Sequence, residues 1–400
     1  MKIRIKQSLY IIIVALILLY AQNLIAAPSV MLDVLIVVYL LISISQDSFK
    51  IRYSVHSFLA RSFLIPLTIW ILYSVIVELG MGFTSDYVKH SITFFYRSIL
   101  YFLLMKDTIF SYQERTPDYL LVSCIIAYIP AILKHFSKFG LINGIFIVFS
   151  AEANNMSLDL EVHGLTYVFG FLGLYYMYCS YVQKKEKKQM CVISIVLMLL
   201  GVKRIVIAAT ALTILLLLLM SKIKGKRRYV VIQLMCIVMI FAAYIYITIL
   251  KNGTLEQIFN TYNIADNFRM NFANYLRNKY EISPSFLGYG MAYSHRIIVH
   301  EYSNIQYLTT AVNIHNDLLG IYLGTGFIGF GIYWYVFFFD RCSLLWKKYG
   351  SDSLLFAFLI SFYYFMNMLV SNIGLDPFYY SVYFMVISVM CINNNGGKTN

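Results

Sequence analysis

Residues 204–228 read RIVIAATALTILLLLLMSKIKGKRR. The part from Ile205 to Ser221 carries no charge, and as an α-helix it would reach about 26 Å, close to the ~30 Å of a bilayer's hydrocarbon core. Five lysine or arginine residues follow within the next seven positions. An apolar helix that ends in a cluster of positive charges is typical of a transmembrane segment whose charged end lies in the cytoplasm.

The same pattern recurs along the whole chain. Of its 400 residues, 60% are hydrophobic and only 13% are charged, about half the charged fraction of a typical soluble domain. No polar stretch is long enough to fold as a separate soluble domain, so we expect one all-α integral membrane domain over residues 1–400. The twelve predicted transmembrane helices are 7–27, 29–45, 62–80, 90–106, 118–133, 164–182, 189–202, 204–221, 229–250, 316–340, 352–371 and 377–393.

Lysine and arginine residues set the predicted orientation. With the N-terminus in the cytoplasm, 21 of the 32 basic residues fall in cytoplasmic connections or termini, as the positive-inside rule requires. The short loops 184–188 and 222–228 indicate most clearly which side is cytoplasmic. An even number of spans places the C-terminus in the cytoplasm too. This asymmetry accounts for the net charge of +13, so we expect no nucleic-acid partner.

Two longer segments fall on the outer side. The first is residues 134–163, in which the short apolar stretch 139–150 predicts a re-entrant or interfacial element rather than a further span. The second is residues 251–315, much the longest connection. Loops of this length in a compact protein are usually functional or disordered. Aromatic residues recur in it at helix-like spacing, so we expect helices that pack on the membrane domain.

Polar residues gather where the second outer segment ends. His315, Asn316 and Asp317 stand at the start of the tenth predicted span, and Gly326 and Gly329 follow within it. Glycines in such a span let another helix approach closely. A helix N-cap formed by Asn316 or Asp317 is one interpretation, but a cap does not account for His315. These residues are therefore candidates for a site at the outer surface.

Basic residues on the outer side run against the positive-inside trend. Arg269 and Arg277 precede a Gly-Tyr-Gly at 288–290, and a Lys-Arg at 203–204 lies in a predicted tight turn between two spans. A guanidinium binds phosphate oxygens through a planar fork of donors, which favours an anionic lipid-linked substrate. Solvated helix faces and snorkelling to the headgroup level are the alternatives, and the residues alone leave them open.

The order and spacing of these features resemble the O-antigen polymerase (Wzy) and O-antigen ligase superfamily. Its members have many spans, a large outer loop in the second half and a His-Asn pair at the start of a glycine-containing span. An Arg-x10-Gly element known from some polymerases is similar to Arg277 and Gly288, but the first outer segment has none, which argues against a two-arm transfer of substrate. The matching residues here are His315, Asn316, Arg269, Gly288, Gly290 and Arg204, with Lys203 in place of the family's serine, and His163 at the other loop-to-span position.

The resemblance implies a GT-C-like fold and glycosyl transfer at the outer face of the bacterial cytoplasmic (inner) membrane. Donor and acceptor would be undecaprenyl-diphosphate-linked oligosaccharides, and a chain-length regulator and a flippase would be partners besides membrane lipid. A sugar hydroxyl must attack an anomeric carbon while diphosphate leaves, so a base and nearby cations assist. The implied catalytic residues are His315, Arg269 and Arg204, and the implied substrate-binding residues are Arg277, Asn316, Lys203, Gly288, Gly290 and His163.

The motifs leave three functions open. Polymerase and ligase share them, and the product of a polymerase would be O-antigen or capsule. A flippase or other transporter for lipid-linked oligosaccharides also has twelve spans, although transporters usually contain an internal repeat and none is visible here. We expect neither a metal nor a cofactor, because no His, Cys or acidic spacing predicts a metal site.

Overall fold

The structure is a computed structural model of the whole chain. It describes residues 2–21, 29–47, 55–82, 85–150, 159–262, 269–297, 316–371, 373–374 and 376–395. Within these residues the fold is entirely helical, without a β-strand. The membrane-like composition therefore leads to helices, as expected, because a helix satisfies its backbone hydrogen bonds internally.

Helical turns join some neighbouring helices directly. A π-helical turn, Tyr335–Asp340, joins α14 to α15, and a 3₁₀-helical turn, Gln113–Arg115, joins α4 to α5. The bounds are α1 Lys2–Ala21, α2 Ser29–Asp47, α3 Val55–Gly80, α4 Ser85–Tyr112, α5 Thr116–Phe139, α6 Leu141–Phe149, α7 His163–Tyr181, α8 Lys188–Leu200, α9 Arg204–Ser221, α10 Gly225–Asn252, α11 Thr254–Thr261, α12 Arg269–Arg277, α13 Tyr293–Ile297, α14 Asp317–Trp334, α15 Arg341–Met368 and α16 Pro377–Asn395.

Every predicted span overlaps one of these helices. In the part of the chain that the structure describes, five helical segments are long and apolar enough to cross a membrane, and four shorter apolar helices accompany them. The chain is thus an α-helical protein with helices suited to a membrane, whereas the number of crossings stays a prediction. The five longer segments are 62–80, 85–139, 204–221, 225–252 and 317–368.

Both outer segments contain helices. The apolar stretch 139–150 forms the short helix α6, which begins after Gly140, where a left-handed backbone (φ 73°) ends α5. Its position at a membrane surface stays a prediction. In the second outer segment, α11, α12 and α13 lie where aromatic spacing predicts helices, and a GT-C-like arrangement of this segment stays a prediction as well.

The chain forms two compact units. Unit 1 comprises residues 1–57, 100–223 and 381–400, and unit 2 comprises residues 58–99 and 224–380. Along the chain, α4 and α16 each begin in unit 2 and end in unit 1. The expectation of a single membrane domain over residues 1–400 stays a prediction.

A buried ion pair joins three helices of unit 1. Lys6 on α1 is only 4% exposed, and its Nζ lies 3.1 Å from Asp107 Oδ2 on α4 and 2.7 Å from Ser111 Oγ. Tyr39 and Ser43 on α2 donate hydrogen bonds to the same carboxylate, at 2.9 and 2.5 Å. In the sequence, Lys6 counts as one of the basic residues of the cytoplasmic N-terminus. In the structure, its side chain is part of the packed interior.

Replacing Lys6 by methionine should destabilise the protein by about 2–3 kcal/mol, because it leaves the Asp107 carboxylate, which is only 19% exposed, without its cation. Unfolding in detergent measures the change. The double substitution Lys6→Met, Asp107→Leu should recover most of the loss. Lys185→Met is the matched control, because the Lys185–Glu114 pair is largely exposed and such pairs contribute about 1 kcal/mol at most. Equal losses for Lys6→Met and the control would contradict the prediction.

Candidate functional site

The outer segment of unit 2 docks on α14 through its backbone. We call residues 286–292 the docked segment. α14 is interrupted at Gly326, which has a non-helical backbone (φ 69°, ψ −174°), and the interruption leaves peptide groups without helical partners. The docked segment bonds to them: Tyr289 N donates to Leu323 O (2.7 Å), Gly290 N donates to Gly324 O (3.0 Å), and Phe327 N donates to Phe286 O (2.8 Å).

Three glycines make this contact possible. Gly288 and Gly290 have left-handed φ angles of 85° and 90°, which side chains larger than hydrogen rarely adopt. A Cβ atom at Gly288 would overlap the backbone of Gly326, and one at Gly326 would overlap the backbone of Leu287. The Gly-Tyr-Gly predicted to bind substrate therefore has a packing function in this structure, and contact with substrate stays a prediction.

The docked segment is also fixed to the C-terminal part of α3. Ser74 Oγ accepts a hydrogen bond from Met291 N (3.1 Å), and Glu78 Oε1 accepts one from Ala292 N (3.1 Å). Glu78 is fully buried, and Ser91 Oγ on α4 donates to the same oxygen at 2.8 Å. Sequence reasoning missed Glu78, although a single carboxylate in an apolar run is costly unless it is bonded and is a signal for such a role.

The start of α14 is held by Asn316 and Asp317. Asn316 Oδ1 accepts from Leu319 N at 3.1 Å, so Asn316 is the N-cap, and its Nδ2 donates to Tyr246 Oη at 2.9 Å. Asp317 is fully buried and accepts from Gly374 N at 2.6 Å. The capping interpretation is confirmed for Asn316. A further role for Asn316 as a substrate ligand stays a prediction.

A second carboxylate, Asp376, lies two residues after Gly374, whose N–H bonds to Asp317. Asp376 precedes α16, and its Oδ1 accepts hydrogen bonds from Phe378 N (2.8 Å) and Tyr379 N (3.4 Å). Burial raises the pKa of Asp376 to about 6, although these N–H groups and the nearby charge of Arg97 act in the opposite direction. A carboxyl group that titrates near neutral pH is suited to proton transfer, and sequence reasoning did not single out Asp376.

Two arginine residues of the second predicted outer segment have acidic partners. Arg277 Nη2 lies 3.1 Å from Glu256 Oε2 and bonds to Asn274 Oδ1, and Arg296 Nη1 lies 2.8 Å from Asp86 Oδ2. The Arg277 pair is only partly buried, so it is weak and an anionic substrate can compete for the guanidinium. Binding of substrate by Arg277 stays a prediction, with Glu256 as its partner in this state.

In unit 1 the predicted tight turn packs on α7. A Cβ atom at Gly201 would overlap the Thr166 side chain, and Lys203 Nζ lies 4.6 Å from the centre of the Tyr167 ring. Arg204 is exposed at the first residue of α9. The turn therefore lies close to the beginning of α7, the helix that starts at His163. This juxtaposition fits either headgroup-level snorkelling or contact with a lipid-linked anion.

Three predicted residues are described only in part or not at all. His315 lies outside the described residues. Arg269 and His163 begin α12 and α7, and their side chains lie outside the described part. Joint action of Arg204 and Arg269 on a diphosphate therefore stays a prediction. No protein-family model matches this chain, and no curated protein is significantly similar to it.

Proposed function

We propose that this chain is a membrane glycosyltransferase that polymerises polyprenyl-diphosphate-linked oligosaccharide repeats at the outer face of the bacterial cytoplasmic membrane. The observation that carries the proposal is the docked segment. It ties the longest predicted outer connection to α3 and to α14, the helix that begins two residues after His315. A connection held in a fixed position on two helices supports transfer between two lipid-linked substrates, because catalysis depends on positioning.

In this mechanism His315 takes the proton of the attacking sugar hydroxyl as the new glycosidic bond forms. The bond between the anomeric carbon and the diphosphate oxygen breaks, and the diphosphate leaves on the polyprenyl carrier. Arg269 and Arg204 stabilise the charge that develops on the diphosphate, since a guanidinium fork matches two phosphate oxygens. Nothing in this step requires a metal ion or a cofactor.

Transport of a lipid-linked oligosaccharide is the second candidate, and one observation favours it. Discontinuous helices such as α14 are common at transporter binding sites, where freed backbone groups bind substrate. Here, however, the carbonyls of Leu323 and Gly324 accept hydrogen bonds from the docked segment. The interruption is thereby used for packing, so we rank glycosyl transfer above transport. A ligase of the same superfamily would share the proposed chemistry.

Deleting the gene should leave single lipid-linked repeats in place of long polysaccharide, because repeats would still be made and exported but not joined. Polysaccharide gels of the deletion strain, with a strain complemented by the wild-type chain as the control, measure this. Long chains that are made but fail to attach to their lipid acceptor would replace the proposal by ligase. Repeats that remain on the cytoplasmic face would replace it by flippase.

A further inference from the structure

An apolar groove runs along α3 and α14 in unit 2 and encloses about 820 Å³. Its walls include Ile65 and Ile69 on α3 and Ile328 and Ile332 on α14, which are 48–62% exposed. In a membrane-spanning protein such walls face hydrocarbon rather than water. The groove therefore suits a hydrocarbon chain, whose apolar surface matches that of these side chains.

The length of the groove fits one leaflet. On α3 its lining extends from Ser62 to Tyr73, which at 1.5 Å per residue is about 16 Å, roughly half of a ~30 Å hydrocarbon core. The Tyr73 hydroxyl donates to the carbonyl of Leu287, so the docked segment closes the far end. A chain that enters from the near end consequently stops close to the middle of the membrane.

The near end of the groove is polar. Arg341 and Asp340 both line it. The Arg341 side chain is only 6% exposed, with its guanidinium carbon 4.1 Å from the Phe63 ring centre and its Nη2 2.7 Å from Tyr380 Oη. Stacking and a neutral acceptor hold this guanidinium in a fixed position. A phosphate that arrived at the groove mouth would meet an oriented donor.

The same end of unit 2 is strongly basic. Lys347 and Lys348 follow Arg341 on α15, and α10 begins with basic residues whose last member, Arg228, lies 2.6 Å from Asp352 of α15. By the positive-inside rule this end is cytoplasmic. Basic pockets between transmembrane helices on the cytoplasmic side bind lipid headgroups, so the charge and the groove indicate the same ligand.

We propose that the groove binds one aminophospholipid of the cytoplasmic leaflet. Its acyl chain lies between α3 and α14, its phosphate contacts Arg341, and its headgroup amine contacts Asp340. The two opposite charges at the mouth match a headgroup that carries both a phosphate and an amine, such as phosphatidylethanolamine. The inference uses the proposed orientation but not the proposed polymerase activity, so the two can fail separately.

Native mass spectrometry of the full-length chain in mild detergent tests the proposal. With phosphatidylethanolamine, phosphatidylglycerol and undecaprenyl phosphate added in equal amounts, one phosphatidylethanolamine should be retained in preference to the others. Arg341→Gln should lower retention on the order of tenfold or more, as expected for losing a charge-assisted hydrogen bond. Asp340→Asn should remove the preference for phosphatidylethanolamine over phosphatidylglycerol while retention of phosphatidylglycerol persists.

Matched variants keep the test decisive. Arg227→Gln removes an exposed charge at the basic end and should retain lipid like the wild type. Ile328→Trp fills the groove and should lower retention even if Arg341→Gln fails to fold, whereas Ile76→Trp changes an exposed α3 residue outside the lining and should not. Equal retention of all lipids, no effect of Arg341→Gln and Ile328→Trp, or a preference for undecaprenyl phosphate would each overturn the proposal.

Discussion

Replacing His315 by alanine is expected to lower polymer synthesis by about 10²–10⁴-fold, the usual range for losing a general acid–base group, without lowering the amount of protein in the membrane. The expectation rests on the proposed glycosyl transfer. A neutral imidazole at the outer end of α14 can accept the proton of an attacking hydroxyl, since its unperturbed pKa lies near neutrality. Chain length on polysaccharide gels and membrane abundance on immunoblots are the two measurements.

The rival interpretation of His315 is a helix cap, and the structure bears on it. Asn316 already caps α14 by accepting from Leu319 N, so the first turn does not need His315 for that purpose. Asn316→Ala should therefore cost about 1 kcal/mol of stability, the usual value of an N-cap. His315→Ala should cost much less stability but far more activity, and this opposite pattern separates a catalytic group from a capping group.

Glutamine at position 315 sharpens the comparison. Its side chain still forms hydrogen bonds but has no basic nitrogen, so His315→Gln should remain as inactive as the alanine variant. Polymer of wild-type length from the glutamine variant would remove His315 from the proposed mechanism. If the glutamine variant is absent from the membrane, it should be expressed more strongly until its abundance matches that of the wild type, and the assay is then repeated.

Replacing Gly326 by alanine is expected to undock the outer segment and to destabilise unit 2 by several kcal/mol. Two effects add. The backbone conformation of Gly326 (φ 69°, ψ −174°) costs a residue with a side chain about 1–3 kcal/mol, and the new methyl group would overlap the backbone of Leu287, where overpacking typically costs about 1–3 kcal/mol more. Because Leu287 belongs to backbone already bonded to α14, neither partner can move away without breaking those hydrogen bonds.

Gly350 supplies the matched control. Its φ and ψ of 82° and −170° are close to the 69° and −174° of Gly326, but a Cβ atom there meets nothing within 4 Å. Gly350→Ala therefore carries the cost of backbone strain alone. Unfolding in detergent and limited proteolysis between residues 254 and 297 should show a larger loss and faster cleavage for Gly326→Ala. Similar behaviour of the two variants would mean that the docked segment does not depend on close backbone contact.

Local patterns were sufficient to locate the helices. Uncharged runs such as 205–221 and 229–250 predict α9 and α10 within a few residues, because in lipid a long apolar segment must form its own backbone hydrogen bonds. The cap at Asn316 was predictable for the same reason, since capping involves residues three positions apart in the chain. Helical content in the outer segment followed from aromatic spacing. All of these features depend on neighbours along the chain.

The partners of individual polar side chains could not be predicted in this way. Lys6 and Arg341 appear in the sequence as cytoplasmic charges that orient the protein, yet one is buried against Asp107 and the other against Phe63. Glu78 stands out in the sequence as a carboxylate in an apolar run, but its partner Ala292 in the docked segment does not follow from that. Each of these contacts joins residues far apart in the chain.

The sequence by itself determined where the helices lie, that they are apolar, and which residues are candidates for a site. Helix positions and apolar character follow from local hydrogen bonding and from the transfer of apolar side chains into lipid. Only the tertiary structure decided that Gly288 and Gly326 meet. Such a meeting depends on which helix faces pack together and how closely two backbones can approach. The sequence shows where the glycines stand in the chain. The distance between two of them in the folded protein is set by the packing of the helices around them.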